Sequence, residues 1–190
     1  MRPIALPLAL ILLAGPALAD WTLDDERSTM GFVTIKNGDT AEASMFSGLE
    51  GGVAEDGTAT ISIPLASVET FIDIRNERMR ELLFRVADFP MATVTASIDM
   101  DALAALAPGD RAMSDVEITV AVNGAEADYP GSVSITRIDE GTVAVGTARP
   151  LIADARDLGY EGGLDDLREI AGLDAISPAV PVTFDLLFTR

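Results

Sequence analysis

Four arginines, Arg75, Arg78, Arg80 and Arg85, fall within eleven residues of a chain whose formal net charge is −18, with Met79, Leu82, Leu83 and Phe84 interleaved among them. Guanidinium groups at this density suit charge-assisted hydrogen bonds to an anionic or polar head group, and the apolar residues between them suit a cover over a hydrocarbon tail. An acidic protein needs such a local basic excess to admit an anionic amphiphile, because its overall field repels one. The plainer reading of the same residues is a solvated face with local pairs. Glu81 and Arg85, at i and i+4, would make one such pair, contributing about 0.3–0.5 kcal/mol. Either way the spacing predicts a helix over residues 72–86, since Ile72, Met79, Leu82, Leu83 and Val86 recur at intervals of three and four.

Other chemistry is restricted by what is missing. The chain has no histidine and no cysteine, which removes Ser-His-Asp and Cys-His catalysis, His-ligated zinc and disulfides. Carboxylates remain: Asp24, Asp25 and Glu26, or Asp99 and Asp101, could be pictured as an acid/base or hard-cation pair. Neither has the glycine-centred ligand spacing of a calcium loop, and in so acidic a chain they read as solvated turns. No enzyme, metal or cofactor is expected. The net charge also argues against nucleic acid and anionic membrane surfaces as partners.

The N-terminus reads as a leader. One arginine precedes an apolar run over residues 4–13, and small residues then end in Ala17-Leu18-Ala19, the pattern of a secretory signal peptide cleaved after Ala19. The run is shorter than the roughly 20 residues of a spanning helix. Residues 20–190 are then one exported, periplasmic domain. Removing residues 1–19 takes away Arg2 and no acid, leaving 12 basic residues against 31 acidic ones.

Within that domain the dominant period is two. "TATISIPL", "VEITVAV" and "VPVTFDLLF" alternate apolar with polar or small residues, and "STMGFVTI", "MATVTASID", "SVSITRI" and "TVAVGTA" do so more weakly. Asn37-Gly38, Gly51-Gly52, Asp56-Gly57, Pro108-Gly109, Asn123-Gly124 and Glu140-Gly141 supply turns between them. The fold expected is all-β: a single antiparallel eight-stranded lipocalin-like barrel with one or two short helices. The second helix is read in "GGLDDLREIAGLD", where Leu164, Leu167, Ile170 and Ala171 keep helical spacing and Gly172 is placed to end it.

The residues around the arginines resemble a motif of the YceI-like family of exported lipocalin-like proteins: "SVET" at 67–70, "RNERMR" at 75–80, "LLF" at 82–84, and Phe89-Pro90. Trp21-Thr22-Leu23-Asp24, Ser28 with Phe32, and Phe46-Ser47-Gly48-Leu49 agree as well, and the similarity runs from Trp21 to Arg190. The chain departs from the pattern at Asn76, Arg78 and Arg27, where the family's usual residues are aspartate, histidine and histidine, and at Leu83-Phe84, where an aromatic pair is usual.

The resemblance implies a barrel whose bore holds a long apolar chain, polyisoprenoid or quinone-like. On that implication the ligand wall consists of Met30, Phe32, Ala59, Ile61, Ile63, Val94, Ile98, Ile118, Val120, Val143, Val145, Val182, Phe184 and Leu186. Met79, Leu82, Leu83 and Phe84 serve as a lid, and Arg75, Arg78 and Arg80 are the head-group residues. Period-two residues alone leave open whether such a barrel is hollow or filled by its own side chains. The alternative is a docking module with a filled barrel and no small ligand, set against an exported or membrane-bound protein. An outer-membrane barrel fits poorly, since seven Phe, two Tyr and one Trp make no aromatic girdle. Ligand identity and oligomeric state are open.

Overall fold

The structure is a computed structural model that describes residues 21–190; the expected leader, residues 1–19, lies outside the described residues. Eleven strands form one antiparallel sheet: β1 (Trp21–Leu23), β2 (Thr29–Lys36), β3 (Thr40–Phe46), β4 (Glu50–Val53), β5 (Thr58–Pro64), β6 (Met91–Ser97), β7 (Arg111–Val122), β8 (Ala125–Asp139), β9 (Thr142–Thr147), β10 (Leu151–Asp154) and β11 (Ala179–Thr189). Three pairs of these are single staves broken in the middle. β1 and β2 share one edge of β11, β9 and β10 share its other edge, and β3 and β4 follow β2 and β1 in turn. Eight staves therefore close into an up-and-down barrel in which each pairs with its sequence neighbours and β11 returns to β1 and β2. Closure removes the exposed sheet edges.

Each break is stitched by polar groups, because a ladder that loses a strand must find other partners for its N–H and C=O. Between β1 and β2, Asp24 caps a short 3₁₀ turn by accepting from the Arg27 N–H at 3.2 Å. The β11 residue left opposite the gap, Leu187, gives its N–H to the Ser28 hydroxyl at 3.0 Å and takes the Asp24 N–H on its carbonyl at 2.8 Å. Asp25 accepts from the Leu49 N–H at 2.6 Å and so spans the break between β3 and β4. Asp24 and Asp25 of the acidic run thus serve as acceptors for backbone N–H groups. Asp99 likewise caps a helix, accepting from the Ala102 N–H at 2.9 Å.

The period-two residues meet in register: Ala59 faces Ala96, Ile61 faces Val94, Ala96 faces Ile118, and Ile118 faces Tyr129. Asn37-Gly38 (φ 52° and 87°) and Asn123-Gly124 (54° and 75°) make the expected tight hairpins. Gly51-Gly52 does not turn. It lies inside β4, where Gly51 has φ 146° and a Cβ would come 2.0 Å from the Thr60 carbonyl oxygen. Close approach of β5, not reversal of the chain, is what requires glycine there.

Three helices interrupt the barrel. α1 (Asp73–Arg78) continues as a π-helical segment, Met79–Leu83, within the helix expected over 72–86. α2 (Met100–Ala105) was not expected; its signals are the Asp99 cap and the run of alanine and leucine behind it. α3 (Glu161–Ile170) is the helix read in "GGLDDLREIAGLD", and Gly172 follows its end.

Candidate ligand-binding bore

Inward side chains leave two chambers of about 100 Å³ and about 180 Å³ inside the barrel, with walls almost wholly apolar. Each is several times larger than one water needs, and so apolar a wall offers water few partners. The smaller chamber ends at Trp21 of β1, Leu103 of α2 and Phe188 of β11. The larger one ends at Met79, Leu83 and Phe84 on the α1 side and at Tyr160 and Leu164 at the start of α3. Met30, Val94, Ile118 and Phe184 belong to both walls and form the waist between them. Alanines at 59, 92 and 96 keep the space open where larger side chains would close it.

Most of the residues expected from the sequence as a ligand wall line one of the two chambers. Ala59, Ile61, Ile98, Val143, Val145 and Leu186 line the smaller chamber, and Phe32, Ile63, Val120 and Val182 line the larger one together with Met79, Leu83 and Phe84. Leu82 is the exception, half-buried and on neither wall. Met79 and Leu83, four apart, share the inward face, and the residue between them turns elsewhere. Among the wall residues that sequence reasoning missed are Trp21, Leu103, Leu151, Ala153, Leu158, Tyr160 and Ile176, and also Val133 and Ile135 of β8. Most of these sit on short or broken elements whose period is too brief to read, although Trp21 opens an apolar-polar-apolar strand.

The arginines are not on the walls of the bore. Arg75 is committed elsewhere: it ion-pairs with Glu42 of β3 and donates to the Thr70 carbonyl at 2.7 Å. Glu42 also holds Lys36 at 2.6 Å. The Arg80 side chain is half-buried, with a buried Nε that has no partner. Arg85 does not pair with Glu81; it donates to Asn123 and lies 4.9 Å over the Phe89 ring. Asn123 donates in turn to the Gly159 carbonyl at 2.9 Å, so the end of the lid, the β7–β8 hairpin and the entry to α3 are tied together.

The motif "SVET…RN" is a polar clamp under the lid. Asn76, 3% exposed, accepts from both the N–H and the hydroxyl of Thr70 at 2.8 and 2.6 Å and donates to Glu69 at 2.9 Å. Glu69 also accepts from the Phe71 N–H. The bond from Asn76 holds the Glu69 carboxyl below its ordinary range, and the bond from Lys36 does the same for Glu42 with help from Arg75. Phe71 is displayed by this clamp at φ 62° and 74% exposure, next to the exposed Ile72 and Ile74.

Along the wall of the larger chamber an aromatic series runs Phe32, Phe46, Phe84, Tyr160, with ring centroids 5.2, 5.8 and 5.6 Å apart. It joins β2, β3, the lid and α3 by contacts of favourable geometry. α3 itself lies backbone against backbone on the lid: a Cβ on Gly163 would stand 2.8 Å from the Leu82 carbonyl oxygen and 2.9 Å from the Leu83 Cα.

Among solved structures, a polyisoprenoid binding domain from Saccharophagus degradans implicated in plant cell wall breakdown is 35% identical to the chain, with a TM-score of 0.88 over 91% of this chain and 99% of that one. BcnA of Burkholderia cenocepacia shares the fold at 17% identity, with a TM-score of 0.67 over 87% and 98% of the two chains. No curated protein matches the chain. The sequence profile of the YceI-like domain matches residues 21–188, a span that holds the whole clamp and all of the barrel but the last residue of β11, and the chain belongs to the YceI-like domain family.

Proposed function

We propose that the protein is a periplasmic carrier that holds an apolar-chain amphiphile, isoprenoid or quinone-like, inside the barrel. The observation that carries this is the pair of almost wholly apolar chambers inside the barrel, which share Met30, Val94, Ile118 and Phe184 as wall residues. The printed description of the Saccharophagus relative, a polyisoprenoid binding domain, supports the ligand class. Leader-like residues 1–19 support the compartment. The tail would run from the larger chamber past the waist into the smaller one, and the lid over Met79, Leu83 and Phe84 would close behind it. Mass spectrometry of protein released from the periplasm tests this: an apolar adduct that is lost on delipidation and regained with an added polyprenol is expected. Protein that neither carries nor rebinds any such adduct would sink the reading.

One observation favours a further role for the lid end. Phe71, Ile72 and Ile74 are 74%, 45% and 52% exposed beside the clamp, as a contact for a membrane-bound protein partner would require. Crosslinking from position 71 in intact cells should then yield one discrete adduct, and its absence would count against such a partner.

A further inference from the structure

The chain has two tyrosines, and the structure treats them differently. Both are buried. Tyr129 gives its hydroxyl to the Asp154 carbonyl at 3.3 Å. Tyr160, 6% exposed, stands on the wall of the larger chamber, and its hydroxyl is buried with no hydrogen-bonding partner in the protein. A buried phenol hydroxyl is ordinarily paired, so the orphan asks for a partner from elsewhere.

The position of Tyr160 is well determined. Its N–H bonds the Ala155 carbonyl at 2.9 Å, its own carbonyl accepts the first turn of α3 from Leu164 at 2.9 Å, and its ring meets Phe84 edge-on at 5.6 Å. Burial pushes its phenol well above the ordinary range, with the charge of Arg85 opposing that only in part, so the group is a neutral donor. Its neighbours on the wall include Leu83, Phe84, Leu158 and Leu164. A neutral donor in such a wall suits an uncharged acceptor. An anion there would lose its hydration and recover one neutral hydrogen bond.

We infer that Tyr160 is the head-group residue of the bore: it donates a hydrogen bond to an uncharged oxygen, a carbonyl or hydroxyl, at the end of the ligand's apolar chain. This rests on the carrier reading. It moves head-group recognition from the arginines at 75, 78 and 80 to the entry of α3.

The test is Tyr160→Phe in the mature, delipidated protein, with three probes: a ubiquinone, geranylgeraniol, and the hydrocarbon squalene. The ligand-free variant is expected to melt at or above the wild-type temperature, since it loses only an unpaired group. Affinity for the quinone and the alcohol should fall about 5- to 10-fold, the scale of one hydrogen bond, with squalene unchanged. The carbonyl stretch of the bound quinone should move back towards its value in hydrocarbon. Equal losses for all three probes, or no loss for the oxygenated pair, would overturn the assignment while leaving the carrier reading intact. Failure of the wild type to bind any probe, squalene included, would overturn both. Binding of geranylgeranyl phosphate more tightly than the alcohol, unaffected by the substitution, would return the head group to a cationic site and also overturn it.

Discussion

Thr70 and Asn76 meet at a single oxygen: the N–H and the hydroxyl of Thr70 both donate to Asn76 Oδ1, at 2.8 and 2.6 Å, inside the protein. That oxygen is the fixed point from which α1 starts. Asn76→Leu would leave the Thr70 N–H unpaired, leave its hydroxyl only the Ile72 carbonyl at 3.4 Å, and remove one of the bonds that hold Glu69. A loss of about 2–4 kcal/mol is expected, read as a lower midpoint in urea, with cleavage by a limiting protease concentrated near residues 69–72.

Tail length should be set by the smaller chamber. Ala59, opposite Ala96 in the ladder and on that chamber's wall, is the place to shorten it. Ala59→Leu adds volume where space exists, so the domain should stay folded with a stability change under about 2 kcal/mol. Farnesol should bind as before and a long polyprenol about tenfold more weakly. Equal affinities for both in the variant and the wild type would show that the chain does not reach past the waist.

Acid should weaken the ion pairs of Glu42 with Lys36 and Arg75. Glu42 has a folded-state pKa below its ordinary 4.5, chiefly through its bond from Lys36. Its contribution is therefore full above that ordinary value and is lost as pH falls through the depressed one. The melting temperature of the wild type should fall more steeply between about pH 5 and 3 than that of Glu42→Gln, which has no proton to gain. Parallel curves would mean that Glu42 bonds equally in the unfolded chain.

At the seam between β1 and β2, the Ser28 hydroxyl both accepts from Leu187 and donates to the Asp24 carbonyl, at 3.0 and 2.6 Å. Ser28→Ala removes both and should destabilise the barrel by about 1–3 kcal/mol. Amide exchange at Leu187 is expected to quicken far more than at Ile118 in β7, on the opposite side of the ring.

Strands with several alternations were legible because the period of two survives in them: "TATISIPL" covers β5 and the residue after it, "VEITVAV" lies within β7 and "VPVTFDLLF" within β11. The same property exposed most of the wall, Ile61, Val94, Ile118 and Phe184 among it, since facing inward is what the period encodes. The broken staves were harder. β10 has four residues and β1 has three, too few to establish a period, and their breaks depend on pairings such as Ser28 with Leu187 that lie far apart in sequence. Leu82 and Arg75 show a second limit. Residue type suggested a lid and a head-group site, but which way a side chain turns on a helical segment, and whether a carboxylate such as Glu42 has already engaged it, are tertiary facts. Tyr160 was missed for a related reason: an unpaired hydroxyl is a property of its surroundings, not of the residue.

The ring of staves has a kinetic consequence. Every pairing in it joins sequence neighbours except the last, in which Thr22 meets Thr189 and Phe32 meets Val182. Closing that joint spans nearly the whole chain and carries the largest loop-closure entropy of any contact in the fold. The meander from β5 to β9 can therefore assemble first, and the seam forms after the main barrier. Substitutions at Ser28 or Asp24 should then leave the folding rate almost unchanged and raise the unfolding rate. The barrel would begin to open at its seam, beside the waist residues Met30 and Phe184, so the step that starts unfolding would also be the one that uncovers the bore.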